Sequence, residues 1–170
     1  MNLEQFFGST IIRYTVSGML ILLYAIGTRV ASHRAGTSPE RVPGTLWMKV
    51  TLTVSMVAYY ALIPRYGGAI WSGFGNLLGV GLVGFAIAYR LATAKGSSRV
   101  RHPESAARLL FLTALPLAVG VPLGWLALSL PAFVAFAINS VREDKILGER
   151  LGDQWTARMA KTHRLIPGIW

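Results

Sequence analysis

From Ala106 to Val141 the chain reads AARLLFLTALPLAVGVPLGWLALSLPAFVAFAINSV, 36 residues with a single charge, Arg108. A helix crosses the hydrocarbon core of a bilayer with about 20 apolar residues, range roughly 17 to 25. The stretch is too long for one crossing and long enough for two short ones. Its centre, VGVPLG, supplies the break, because Pro and Gly interrupt helices. Two short helices joined as a tight hairpin are therefore expected here. Three further apolar segments precede it, at about Thr10 to Ala31, about Leu46 to Ile63 (stopping at Pro64) and about Ala69 to Leu91. The expectation is an all-α integral membrane protein of about five transmembrane helices, forming one membrane domain over residues 1–170.

Composition agrees. Only 14% of the residues are charged, whereas a soluble domain carries about a quarter. The formal net charge of +10 would suggest nucleic acid in a soluble protein. Here the cations sit between apolar segments, so no nucleic-acid partner is expected. Arg29, Arg34, Arg41 and Lys49 lie in the first loop, and Arg90, Lys95, Arg99, Arg101 and Arg108 in the third. Arg142, Lys145, Arg150, Arg158, Lys161 and Arg164 follow the last span. Together they make 15 of the 17 basic residues. With five spans all three segments fall on one side, leaving Arg13 and Arg65 on the other. The positive-inside rule then places the N-terminus outside and the C-terminal tail in the cytoplasm. The opening MNLEQFFGST lacks the basic n-region of a signal peptide. With no cysteine and three scattered histidines, neither disulfides nor a metal site are expected.

Loop charge accounts for the arginines of SSRVRHPES, residues 97–105, but not for its histidine. Nor does it account for the acidic pair Glu143 and Asp144 at the end of the last span, where an anionic inner surface favours cations. Beyond that pair, Ile146, Leu147, Leu151, Trp155 and Met159 are spaced for one apolar face. A helix from about Lys145 to Ala160, lying at the interface, is expected. LIPGIW then closes the chain. In the third span Gly75 and Gly79 form a GxxxG, extended by Gly81 and Gly84, which reads as a helix-packing stripe.

These motifs, in this order, resemble the C-terminal half of the isoprenylcysteine carboxyl methyltransferase family, and phospholipid methyltransferases share much of the pattern. The likeness covers about Arg99 to Trp170: the RHP opening a hairpin, Arg142 before the paired acids, LG..W, and R.IPG.W. The first three spans, within 1–98, resemble the family in number and hydrophobicity alone. The resemblance implies a membrane enzyme that uses S-adenosyl-L-methionine in a cytoplasmic-side pocket. Carried over by motif, Arg101, His102, Pro103, Glu143, Asp144, Arg164 and Pro167 would bind the cofactor. The family pattern usually has a tyrosine two residues after the Pro and a glycine two further on. This chain has Ser105, still able to donate a hydrogen bond to the cofactor, and Ala107.

The residues suit that chemistry on their own terms. A sulfonium cofactor with an amino-acid end needs cationic donors, acids and an apolar slot, and Arg101 or His102 can meet its carboxylate. Glu143 or Asp144 can accept from its ammonium or ribose. Pro103 suits the first turn of a helix, where its missing N–H is no loss. Arg142 is the candidate for steering an acceptor carboxylate, with Asn139, one turn deeper, as its helper. A carboxylate acceptor needs no general base; an amine would, and His102 or Glu143 would then serve. The expected acceptor is a small lipophilic molecule or lipid head group entering from the bilayer. Two other classes stay open. Membrane sterol reductases resemble the same C-terminal pattern and bind a nicotinamide dinucleotide, and a non-catalytic scaffold would keep the fold without the activity.

Overall fold

The computed structural model describes residues 10–35, 45–66, 73–94, 99–121 and 123–165. Among them the chain is all-helical, with an isolated parallel bridge between Val100 and His163 in place of any sheet. The helices are α1 (Thr10–Ala35), α2 (Leu46–Tyr66), α3 (Gly73–Ala92), α4 (Pro103–Val119), α5 (Leu130–Leu151) and α6 (Asp153–Lys161). A π-helical turn, Trp125–Ser129, leads directly into α5. Among the described residues four helices are long and apolar enough to cross a membrane: α1, α2, α3 and the continuous Trp125–Leu151 segment. Large apolar side chains stand exposed along them, among them Leu22, Val54, Phe74, Leu126 and Ile138. That outward-facing greasy surface suits lipid rather than water, and the chain is a multi-pass membrane protein.

The fourth helix is held closest to α3. At Gly79 an added Cβ would fall 2.2 Å from the Ala118 backbone nitrogen and 2.5 Å from its Cα. Glycine here lets two helix backbones touch. The expected packing stripe is real at Gly79, and Gly75 is buried. Gly81 and Gly84 face outward with nothing near them. The π turn and α5 pack against α2.

Pro64 and Pro116 lie inside helices, and each frees a carbonyl that its missing N–H would have bonded. The second span ends at Pro64 as expected, but the helix does not: α2 runs through it to Tyr66. The freed Tyr60 carbonyl accepts from the Tyr14 hydroxyl of α1 at 3.1 Å. In α4, Pro116 frees the Leu112 carbonyl, which accepts from the Ser129 hydroxyl at 3.1 Å. In a bilayer no water would fill these roles, so neighbouring helices must.

The C-terminus of α4 is closed by the same logic. Gly120 turns the chain with φ 74°. Its own N–H donates to Leu117 O, and Val121 N–H donates to Pro116 O. Asn76 Nδ2 donates to Leu117 O and Ala118 O at 3.4 and 3.1 Å. Arg13 Nη1 donates to Val119 O and Gly120 O at 3.2 and 3.0 Å. The last carbonyls of the helix, which would otherwise lack donors, are all engaged, and a cation sits at the negative end of the helix dipole. Arg13, read from sequence as one of two stray cations, is buried and closes this helix end.

One boundary differs from the sequence expectation. The interfacial helix over Lys145 to Ala160 is two pieces. Residues 145–151 prolong α5 without a break, and Gly152 (φ 54°) then turns the chain into the nine-residue α6. The apolar stripe of this region points into the protein: Leu147 and Trp155 are buried, and Ile146, Leu151 and Met159 half-buried.

Candidate functional site

The basic loop, the end of the last long helix and the C-terminal segment converge on one point. His102 is the residue just before α4, with Pro103 behind it in the first turn. Glu143 and Asp144 are consecutive on α5, about 100° apart around the helix, so they present carboxylates on adjoining faces. His102 fits between them. Its Nε2 donates to Asp144 Oδ1 at 2.8 Å, and its Nδ1 is ion-paired with Glu143 Oε2 at 2.9 Å.

The chain's C-terminal segment completes the cluster. Arg164 Nε donates to Asp144 Oδ2 at 2.7 Å, and Arg101 Nη1 lies 3.5 Å from the same oxygen. Backbone bonds clamp the two strands of chain side by side: Arg101 N–H to His163 O, His102 N–H to Arg164 O, and His163 N–H to Arg99 O, at 2.7, 3.2 and 2.9 Å. Asn139, one turn earlier on α5, donates from Nδ2 to Glu143 Oε1 at 2.6 Å. His102, Asn139 and Asp144 are all buried.

With an acid on each ring nitrogen, His102 is built to carry two N–H groups. Burial works against its charge, but the hydrogen bonds and charges of Asp144 and Glu143 outweigh it, so its pKa stands above the usual histidine value. With the ring protonated the cluster holds three cations and two carboxylates, the arrangement that an acid on each ring nitrogen favours.

Of the residues singled out by sequence, Arg101, His102, Glu143, Asp144, Arg164 and Asn139 meet here. Pro103 shapes the turn from behind. Ser105 lies half-buried on the first turn of α4 and does not join the ion cluster. Arg142 is exposed, without a hydrogen-bond or ion-pair partner among the described residues. Pro167 lies outside the described residues.

Trp155 was read as part of a membrane-facing stripe. It is instead 1% exposed, with its ring 6.3 Å from the His102 ring. The Arg158 guanidinium lies over it at 5.3 Å. Its place in the LG..W motif was the available signal; the inward turn at Gly152 was not legible. Three buried polar atoms around the cluster lack a hydrogen-bond partner: Arg101 Nε, Trp155 Nε1 and Asn139 Oδ1. Two donors and one acceptor, collected where burial makes unpaired groups costly, are what a ligand with its own acceptors and donors would satisfy. No metal-binding group of His, Asp and Glu occurs among the described residues. No family model matches the chain, and no curated protein matches it.

Proposed function

We propose that the protein is an S-adenosyl-L-methionine-dependent methyltransferase of the membrane, acting on a lipophilic carboxylate or lipid head group, with five spans, its N-terminus outside and its tail in the cytoplasm. The observation that carries this reading is the meeting of the RHP loop, the acid pair and Arg164, far apart in sequence, around unpaired buried donors and an unpaired buried acceptor. These are the residues by which the chain resembles the isoprenylcysteine carboxyl methyltransferase family. The fifth span is α4. Its 17 residues give about 25 Å at 1.5 Å per residue, short of a core of about 30 Å. Yet Glu104 pairs with Arg90 at one end and Ala118 meets Gly79 at the other, so α4 runs alongside most of α3. The hairpin of the reading joins α4 to α5 through the Gly120 turn.

The donor set fits the cofactor. Arg101 and Arg164 suit its carboxylate, the acid pair and Asn139 Oδ1 its ammonium, and the Trp155 N–H a further acceptor. When bound, it supplies a methyl group activated on a sulfonium. The chain's work is then to orient and to exclude water. Asn139 positions Glu143. Arg142, exposed beside the acid pair, is free to meet an acceptor carboxylate, which needs no base.

A second reading, a non-catalytic membrane protein, is favoured by one observation: both carboxylates already have protein partners, so the cluster also serves to fasten the tail to the helix ends. One titration separates the readings. S-adenosylhomocysteine added to the detergent-purified protein should bind saturably, quench Trp155 fluorescence, and lose both effects in Arg101→Ala and Glu143→Ala. Saturable NADPH binding in its place would support a reductase, and no binding by either in folded protein would leave the fastening role.

A further inference from the structure

A second charged cluster joins three helices and shares no residue with the first. Arg90, in the last turn of α3, is buried and donates from Nη2 to Glu104 Oε2 at 3.2 Å. Arg108, one turn further along α4, donates to the other oxygen of the same carboxylate. Two guanidiniums thus share one acid, and the trio keeps a net positive charge. Tyr24 of α1 stacks on Phe111 of α4, with ring centroids 4.1 Å apart. Phe111 stands one turn beyond Arg108 on α4, so the stacked Tyr24 ring lies beside this cluster.

Two donors in this group have no acceptor, Arg90 Nε and the Tyr24 hydroxyl, and both side chains are more than nine-tenths buried. Arg108 and Glu104 form the approach, with side chains 42% and 33% exposed. Buried donors in a field of net positive charge call for an anion with several acceptor oxygens. With Arg108 the donors come from three helices, and a tetrahedral phosphate, whose oxygens point in four directions, can meet donors from separate helices better than a planar carboxylate can. Arg90 and Glu104 lie at the ends of α3 and α4, where a helix that crosses a bilayer meets the head groups. Basic pockets between transmembrane helices commonly hold such groups.

We infer that α1, α3 and α4 form a binding site for the phosphate of an anionic phospholipid, with Arg90, Arg108 and Tyr24 as its donors. Glu104 holds the two guanidiniums apart and ready. The inference is independent of the methyltransferase reading.

The test compares the protein in phosphatidylcholine nanodiscs with and without phosphatidylglycerol, reading thermal unfolding and lipid retained in native mass spectrometry. Phosphatidylglycerol should raise the unfolding temperature and remain bound. Arg108→Ala should weaken retention by about tenfold, the effect of one lost charge-assisted contact. Tyr24→Phe keeps the stack and removes only the hydroxyl. It should be as stable as the parent in pure phosphatidylcholine and less stabilised by phosphatidylglycerol. Lys145→Ala, an exposed cation of α5, should change neither. An equal loss in Lys145→Ala would make the effect a general surface attraction and overturn the site. An unchanged response in both Tyr24→Phe and Arg108→Ala would overturn it too. Matching stabilisation by inorganic phosphate alone would overturn the lipid assignment.

Discussion

Replacing Asp144 with Asn is expected to cost about 3–5 kcal/mol of stability, the range for breaking a buried ion pair from one side. The contacts lead to the same size by a second route. Asp144 accepts two charge-assisted hydrogen bonds, from His102 at 2.8 Å and Arg164 at 2.7 Å, and faces Arg101 at 3.5 Å. Hydrogen bonds to a charged group are worth about 1.5–3 kcal/mol each, so two give about 3–6 kcal/mol. Asn keeps the shape but removes the charge, leaving His102, Arg101 and Arg164 with Glu143 alone. The loss should be local before it is global, because Asp144 is where Arg164 ties the C-terminal segment to α5. Denaturant unfolding in detergent gives the magnitude, and hydrogen exchange gives the place. Amides of residues 153–165 and of the Val100–His163 clamp should exchange faster, while the α3–α4 contact stays protected. A cost below about 1 kcal/mol, the range of an exposed pair, with unchanged exchange in the tail, would refute the argument that this carboxylate organises the site.

Two further outcomes follow from the same geometry. His102 has its pKa raised on folding, so its contribution is complete below the unfolded value of about 6.5 and is lost as pH rises through the higher folded value. Stability of the tail, followed by exchange or by limited proteolysis after Gly152, should therefore fall on that alkaline side, and His102→Gln should flatten the profile; a tail that tightens as pH rises would contradict the imidazolium. Gly79→Ala should destabilise by about 1–3 kcal/mol, as overpacking does, because its Cβ meets the Ala118 backbone, whereas Gly84→Ala meets nothing and should gain about 0.5–1 kcal/mol of helix propensity. Equal effects in thermal unfolding would mean that α3 and α4 are not in backbone contact.

The sequence carried the membrane class because hydrophobic length is a one-dimensional quantity: the apolar runs and the basic segments between them can be counted without a fold. It also carried the pairing of the site. His102 precedes a helix and the acid pair lies toward the end of the last long one, and the structure brings Arg101 and His102 against those acids. Pro64 marks the end of the span but not of the helix, because the Tyr14 hydroxyl that takes up the freed carbonyl comes from another helix. Trp155 misled for a related reason: helical spacing gives the face of a side chain but not the direction of that face, which the turn at Gly152 decides.

What the sequence by itself determined is therefore the all-helical, multi-pass membrane class and where the charge lies along the chain. Tertiary structure decided what each buried polar group does. Arg13 closes the end of α4, Ser129 covers for Pro116, Arg90 and Arg108 share Glu104, and Trp155 lies against His102. The physical reason is the low dielectric of the interior, where every such group must find its partner in space, and that partner is fixed by helix packing rather than by position along the chain.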